Sequence, residues 1–268
     1  MNQDRAAITD GVQATQYEAA AEPLTRQCIP LAFAMVGGIR SGMSVVDIAS
    51  GPGGLSVAAA EAGAQVLATD LSEAMVERAA QRLEPYQHCT ARVMDAQELP
   101  LEDASFDAAF SMFGVVNVPD WRQALRELAR VIRIDGYGCI GTWRDPYTVG
   151  PLGFLAEALR TTFPDAPALP RPEGVATLRS PEAFRAQMAA AGFNDVDIRT
   201  VDVVWSAPSV DAFLDESRPL YERMPVYAEL SHAERDRLVP ALRSVAEKVR
   251  TDDGLRVVTT ALVGAGRR

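Results

Sequence analysis

Val45-Val-Asp-Ile-Ala-Ser-Gly-Pro-Gly-Gly54 is the stretch on which the fold turns. An apolar run, SVVDIA, has the pattern of a buried strand and carries one acid, Asp47. Three glycines and a proline then break it, and GGLSVAAAEAG continues as a helix closed by Gly63. A structural turn needs one glycine or two. Three suit a loop that lets a ligand lie against bare backbone, because no Cβ stands in the way. In an open α/β sheet, ligands bind beyond the carboxyl ends of the strands, where this loop falls. A plain strand-to-helix turn would produce part of the same pattern, so the rest of the chain must decide.

Downstream the alternation repeats. AQVLATD reads as a strand, SEAMVERAAQRLE as a helix capped by Ser72, and HCTARVMD as a strand. FDAAFSMFG is a strand, WRQALRELARVI an amphipathic helix with Leu125, Leu128, Ala129 and Ile132 on one face, and GYGCIGTW a strand. Strand–helix alternation predicts a parallel sheet covered by helices on both faces. Beyond residue 145 the pattern changes. RDPYTVGPLGFLAEALRTTFPDAPALPRPEG holds six of the chain's 17 prolines and reads as one helix inside irregular chain, the character of a lid or binding loop. PEAFRAQMAAAGF is a helix, DVDIRTVDVVWSA a long strand, VDAFLDESRPLYERM and SHAERDRLVPALRSVAEKVR helices, and LRVVTTALVGAG a last strand. The last two strands leave little room for a crossover, so at least one is expected to be antiparallel.

The expectation is an α/β, doubly wound, Rossmann-like and mostly parallel seven-stranded sheet, with an antiparallel last strand and a helical lid. Residues 1–40 form an N-terminal helical cap, 41–145 the ligand-binding core, 146–180 a lid insertion, and 181–268 the rest of the sheet with helices on the substrate side. Within the cap, residues 1–16 are polar, without a pattern, and expected to be mobile at first. Residues 17–39 are helix-like with interruptions at Pro23 and Pro30.

Composition narrows the class. Over 268 residues, 48% are apolar and 23% charged, as in soluble globular chains with a substantial core. A net charge of -10 argues against nucleic acid as the main partner, since phosphate binding needs a positive field. Cys28, Cys89 and Cys139 lie far apart without metal spacing, and His88 and His232 are equally distant, so no metal site is expected. Reduced thiols, early acids at the N-terminus and no long apolar run point to the cytoplasm, with neither signal peptide nor membrane span.

The ligand is read from three strand ends. Asp70 ends the second strand roughly 20 residues after the glycines, where an acid accepts both hydroxyls of a ribose. It could instead cap the next helix, although Ser72 already offers a cap. Asp95, at the end of the third strand, could accept from an exocyclic amine such as adenine's, and its small neighbour Ala96 would let the ring slide in. A dinucleotide would require G-x-G-x-x-G around its pyrophosphate, and Asp47 beside the ligand suits a cationic or zwitterionic tail better than two phosphates. Together these features point to S-adenosylmethionine.

Here the chain resembles the class I S-adenosylmethionine-dependent methyltransferases, in particular a type 11-like domain that acts on small molecules. The resemblance rests on VVDIASGPGG, VLATDLSEAMVERA, VMDAQELPLEDASFD and FSMFGVVNVPDWRQALRELARVIRIDGYGCIGTW, in that order, and covers about residues 40–145. It implies that Asp47 sits near the methionine portion, with Ala49, Ser50, Gly51 and Gly53 presenting backbone to it. It further implies that Asp70 holds the ribose, Leu71 packs on adenine, Asp95 and Ala96 hold the adenine edge, and the Ser111 carbonyl meets the methionine amine. Tyr17 would close over the cofactor. Ala49 stands where the family's first loop glycine is usual, and RIDGYG where many members have a Pro-Gly turn.

Methyl transfer needs alignment more than a nucleophilic side chain. No catalytic residue is assigned; a base is needed only for a poorly ionised acceptor. His88 falls at the amino end of a strand and His232 at a helix start, while Asn117 follows the fourth strand and could face the acceptor. Phe154, Phe163, Trp205, Phe213, Tyr221 and Tyr227 are candidate pocket walls or ordinary packing. The implied reaction is O- or N-methylation, with C-methylation less favoured, of a small organic molecule. The Asn-Pro-Pro-Tyr type motif for base amines is missing. Two alternatives remain: the same fold and cofactor serving a cyclisation or rearrangement, and a noncatalytic subunit that binds a partner. Assembly as a homodimer is compatible with either.

Overall fold

The computed structural model describes residues 11–148 and 150–268. Residues 1–10 of the N-terminal cap segment and Val149 of the lid segment lie outside the described residues. In chain order the core runs β1 (Ser44–Ile48), α3 (Gly54–Glu61), β2 (Gln65–Asp70), α4 (Glu73–Leu83), β3 (Thr90–Val93), β4 (Phe106–Met112), α5 (Trp121–Val131) and β5 (Ile132–Trp143). Before it stand α1 (Gly11–Thr25) and α2 (Ile29–Met35). After it come α6 (Gly150–Thr162), α7 (Glu173–Thr177), α8 (Pro181–Ala190), β6 (Asn194–Ala207), α9 (Val210–Glu222), α10 (Pro225–Ala228), α11 (His232–Glu247), β7 (Arg250–Thr251) and β8 (Gly254–Arg267).

The sheet order is β3-β2-β1-β4-β5-β8-β6, and β7 pairs with β8 off this path. The pairs β1–β2, β1–β4, β2–β3 and β4–β5 are parallel, and β8 lies antiparallel to both β5 and β6. This is the expected α/β sheet with an antiparallel last strand. The eighth strand, β7, is a correction: the helix expected to run to Arg250 stops at Glu247, and residues 250–251 pair with β8 as the chain turns back through Asp252 and Asp253. Two further bounds move. Residues 11–16 belong to α1 rather than to a patternless start, and Ile132 opens β5 instead of ending α5. Pro30 sits in the first turn of α2, where no N–H donor is required.

Alternation along β1 explains the two faces. Val45 packs in a core with Leu55 and Ala59 of α3 and Ala79 and Leu83 of α4. Val46 and Ile48 point the other way, into a core with Leu125 and Leu128 of α5 and Phe184 of α8. A third apolar cluster joins α6, α9 and α11 to Trp205 and Val257, on β6 and β8. β1 lies between β2 and β4, so the strand order reverses there and the crevice beyond its carboxyl end is open to a ligand.

α1 is fastened across this crevice by two guanidinium–carboxylate pairs from α4. Arg78 donates through Nε and Nη2 to Glu18 at 2.6 and 3.1 Å, and Arg82 donates through Nη1 and Nη2 to Glu22 at 2.6 and 2.8 Å. Arg82 Nη1 also donates to the Pro52 carbonyl at 2.9 Å, so the same guanidinium holds the glycine loop. The spacing is i, i+4 on both helices, which places both pairs on facing stripes. Glu22 is buried, and removing its partner strands a charge in a poorly solvated place. Arg82→Leu is therefore expected to destabilise the chain by roughly 2–4 kcal/mol, and the double replacement Glu22→Leu/Arg82→Leu to recover most of it, as read by urea denaturation. A loss below about 0.5 kcal/mol in the single variant would show that the pair does not hold α1.

Candidate active site

A cavity of about 870 Å3 opens beyond the carboxyl ends of β1, β2 and β3 and under α1 and the 146–175 segment. It lies near the upper end of the range for small-molecule pockets, roughly 300–1,000 Å3. Its floor is the loop after β1. The backbone there is left-handed at Ala49 (φ 53°), Gly51 (φ 56°) and Gly53 (φ 84°). Gly51 lines the cavity, and a Cβ on it would lie 3.6 Å from Tyr17. Gly54 also lines it, and there a Cβ would come within 2.7 Å of the Glu22 carboxyl carbon.

Three carboxylates face this floor. Asp47 on β1 is 1% exposed, and its Oδ2 accepts from Ser56 Oγ at 2.7 Å. Burial pushes its carboxyl up to about 7, the Ser56 hydrogen bond opposes that rise, and the nearby charge of Asp70 adds to it. Asp70, the last residue of β2, accepts from Gly51 N–H through Oδ2 and from Ser72 N–H through Oδ1, both at 2.9 Å. Burial raises its pKa, while those backbone donors and Arg223 oppose the rise. Asp95 follows β3, and its Oδ1 accepts from the backbone N–H and side-chain amide of Gln97, each at 2.9 Å.

The structure brings Tyr17, Asp47, Ala49, Ser50 and Gly51 to this cavity, and likewise Asp70, Leu71, Asp95 and Ala96. Leu71 is 43% exposed, an apolar surface offered to a ligand. Two expected residues stand behind the wall instead. Gly53 caps α3 against Ala79 of α4, whose Cβ would lie 3.1 Å from an added Cβ. Ser111 is fully buried, donating to the Ile48 carbonyl at 2.7 Å and accepting from Val115 N–H at 3.0 Å. Met112, Phe113 and Gly114 line the cavity in its place, because Phe113 takes φ 65° and turns the chain at the end of β4. Gly114 is required there: a Cβ would come within 2.5 Å of the Ala49 carbonyl oxygen.

Asn117 lines the cavity, but its side-chain amide donates to the Phe113 carbonyl at 2.6 Å and so holds that turn. His88 and His232 are exposed and do not line it. Of the six candidate wall aromatics only Trp205 does. Phe213 packs between Phe154 and Trp205, with ring centroids at 5.2 and 5.5 Å, inside the third cluster. Phe113, Trp143 and Tyr147 supply the aromatic walls that the sequence did not reveal. Phe113 and Trp143 lie 4.4 Å apart, at the ends of neighbouring strands, a pairing visible only once β4 and β5 are side by side. Among the described residues, no cluster of His, Cys, Asp or Glu could hold a metal ion, and no helix is long and apolar enough to cross a membrane.

Residues 46–140 match the family model described as a methyltransferase domain. By that match this segment is a methyltransferase domain. Over 136 residues the chain is 40% identical to malonyl-[acyl-carrier protein] O-methyltransferase of Pseudescherichia vulneris, covering 51% of this chain and 52% of that protein. The chain spans about half the length of the curated relatives it matches. In fold it is similar to the YcgJ protein of Bacillus subtilis, with a TM-score of 0.59, 18% identity, and coverage of 90% and 97% of the two chains. It is also similar to Haemonchus contortus phosphoethanolamine N-methyltransferase 2 in complex with S-adenosylmethionine, with a TM-score of 0.51, 23% identity, and coverage of 88% and 51%.

The donor set fits that cofactor. The Asp70 carboxylate, held in place by backbone N–H groups that include those of Gly51 and Ser72, is an acceptor suited to ribose hydroxyls. The floor offers glycine backbone next to a buried carboxyl that a cationic group would draw into its ionised form.

The raised pKa of Asp47 has a sign that can be tested. The folded chain holds this proton more tightly than an unfolded chain, whose carboxyl titrates near 3.8. The contribution of Asp47 to stability is therefore greatest at low pH and is lost as pH rises through about 7. Asp47→Asn removes that penalty. At pH 8 the variant is expected to be more stable by roughly 1–3 kcal/mol, with the gain vanishing toward pH 4, in urea denaturation at both values.

Proposed function

We propose that this chain is an S-adenosylmethionine-dependent methyltransferase that methylates an oxygen or nitrogen, less readily a carbon, of a small organic acceptor in the cytoplasm. One observation carries the reading: Asp47, Asp70 and Asp95, from the ends of three adjacent strands, open into one cavity beside a left-handed glycine loop. Asp70 would hold the ribose hydroxyls, and Asp95 with Ala96 the adenine edge, with Leu71 packed on the ring. Asp47 and the backbone of residues 49–51 would face the charged methionine end, and Tyr17 would close over it. Bound S-adenosylmethionine supplies a methyl group activated by its sulfonium.

What the chain adds is position and exclusion of water. α1, the 146–175 segment and the end of α9 cover the cavity, and holding the acceptor in line lowers the barrier through orientation. No histidine is among the cavity-lining residues. Tyr147, whose pKa burial raises, donates its hydroxyl to the Pro170 carbonyl at 2.8 Å. This arrangement favours an acceptor atom that is nucleophilic without a base from the protein. The malonyl-[acyl-carrier protein] relative is named as an O-methyltransferase, which agrees with that preference without fixing the acceptor.

Two measurements test the reading. Calorimetry should show S-adenosylmethionine binding and no binding of NAD(H), and Asp70→Ala should weaken the former by roughly 1.5–3 kcal/mol, the worth of charge-assisted hydrogen bonds. Because Asp70 also holds two backbone N–H groups, circular dichroism must confirm that the variant is folded. Affinity unchanged in a folded variant would mean that the ribose site is misplaced. An acceptor screen by mass spectrometry should find a product heavier by one methyl group. A product of unchanged mass would favour the rearranging alternative, and tight cofactor binding without any product the noncatalytic one.

A further inference from the structure

Several charged groups line the cavity, and most are matched. Glu22 is held by Arg82 and Arg26, Glu173 pairs with Arg122, and Asp47 and Asp70 accept the hydrogen bonds described above. Among the described lining residues, two guanidiniums are left without a carboxylate: Arg171, exposed over the Tyr147 ring, and the more buried Arg223. Arg223 follows α9 directly, its guanidinium lies over the Tyr17 ring with Cζ 4.6 Å from the centroid, and Nη1 is buried with no hydrogen-bond partner. Among the described residues no carboxylate lies within ion-pair distance of it; Asp70 acts on it only through its longer-range field. A buried guanidinium N–H without an acceptor is costly, and such groups are rare unless something else completes them.

Its surroundings say what that is. The adjoining cavity wall is apolar: Leu220, Met224 and Pro225 from the same segment, with Trp205 and Val257 from β6 and β8. Tyr17 stands over the loop, where a Cβ added to Gly51 would lie 3.6 Å from its ring, and Arg223 stacks on Tyr17, so the guanidinium is one layer beyond the floor that carries the three carboxylates. A planar fork stacked on one face keeps its edge for a carboxylate or phosphate, which it can grip with two parallel hydrogen bonds.

We propose that Arg223 anchors the acceptor, and that the acceptor is an amphipathic anion: an apolar body carrying a carboxylate or phosphate. This rests on the methyltransferase reading and narrows its substrate. Arg223 is a specificity-determining residue here, binding an end of the acceptor remote from the methylated atom.

The test is binding to the protein loaded with S-adenosylhomocysteine, using octanoate, octyl phosphate and the neutral octanamide as probes. At least one anion should bind tenfold or more tightly than octanamide, and the better of the two anions identifies the headgroup. Arg223→Met should erase the preference while leaving S-adenosylhomocysteine affinity within twofold, and Arg223→Lys should keep part of it. Equal binding of charged and neutral probes by the wild-type protein would overturn the proposal, whatever the variants do. So would a preference that survives Arg223→Met, or a folded Arg223→Met protein that no longer binds S-adenosylhomocysteine, since the guanidinium would then serve the cofactor. A wild-type protein that binds no S-adenosylhomocysteine, yet prefers the anion through Arg223, would overturn the methyltransferase reading and leave the anion site standing.

Discussion

The reversal of the chain after β1 is the constraint on which the other parts depend. Within five residues the backbone is left-handed three times, at Ala49, Gly51 and Gly53. Two of these positions are glycine, for which the conformation is cheap, and the third is alanine, for which it costs about 1–2 kcal/mol. Neighbouring strands hold the turn: Ser50 N–H donates to the Thr69 carbonyl, Gly51 N–H to Asp70, and Ala49 packs on a position that must be glycine, Gly114. The reversal aims α3 back over the sheet, opens the cavity above β1 and β2, and leaves Asp47 buried beneath it.

Electrostatics in the cavity then divides into layers. The floor holds carboxylates, two of them driven by burial toward their neutral forms, which is a stability cost that a bound cation would offset. The next layer holds Tyr17 and the Arg223 guanidinium, whose charge burial disfavours. Groups that are poorly solvated and incompletely paired within the chain are the ones that a ligand of opposite charge completes.

Much of the fold was legible in the sequence because its signals are local. Strand β1 is a run of buried residues with turn chemistry at its end, and helix α4 has its cap at Ser72, which accepts from Met75 N–H. Asp47, Asp70 and Asp95 could be placed at strand ends from spacing alone. What escaped notice was set by partners distant in sequence. The Glu18–Arg78 and Glu22–Arg82 pairs link residues 60 apart, and nothing local says that α1 will lie against α4. Phe154, Phe213, Tyr221 and Tyr227 fitted either a pocket wall or ordinary packing, and the contacts among α6, α9, α10 and α11 decide for packing. Gly53 and Ser111 do not line the cavity: Gly53 packs against α4, and the Ser111 hydroxyl bonds the Ile48 carbonyl and the Val115 N–H.

The sequence by itself determined the alternation of strands and helices, the antiparallel finish and the carboxylates at three strand ends, since periodicity, capping and glycine content act over a few residues. Only the tertiary structure decided which strand ends meet, which aromatics face the cavity, that α1 is fastened over it, and that Arg223 reaches Tyr17. Those facts depend on residues far apart in the chain arriving at one place, and burial and unmatched charge acquire meaning only after they have met.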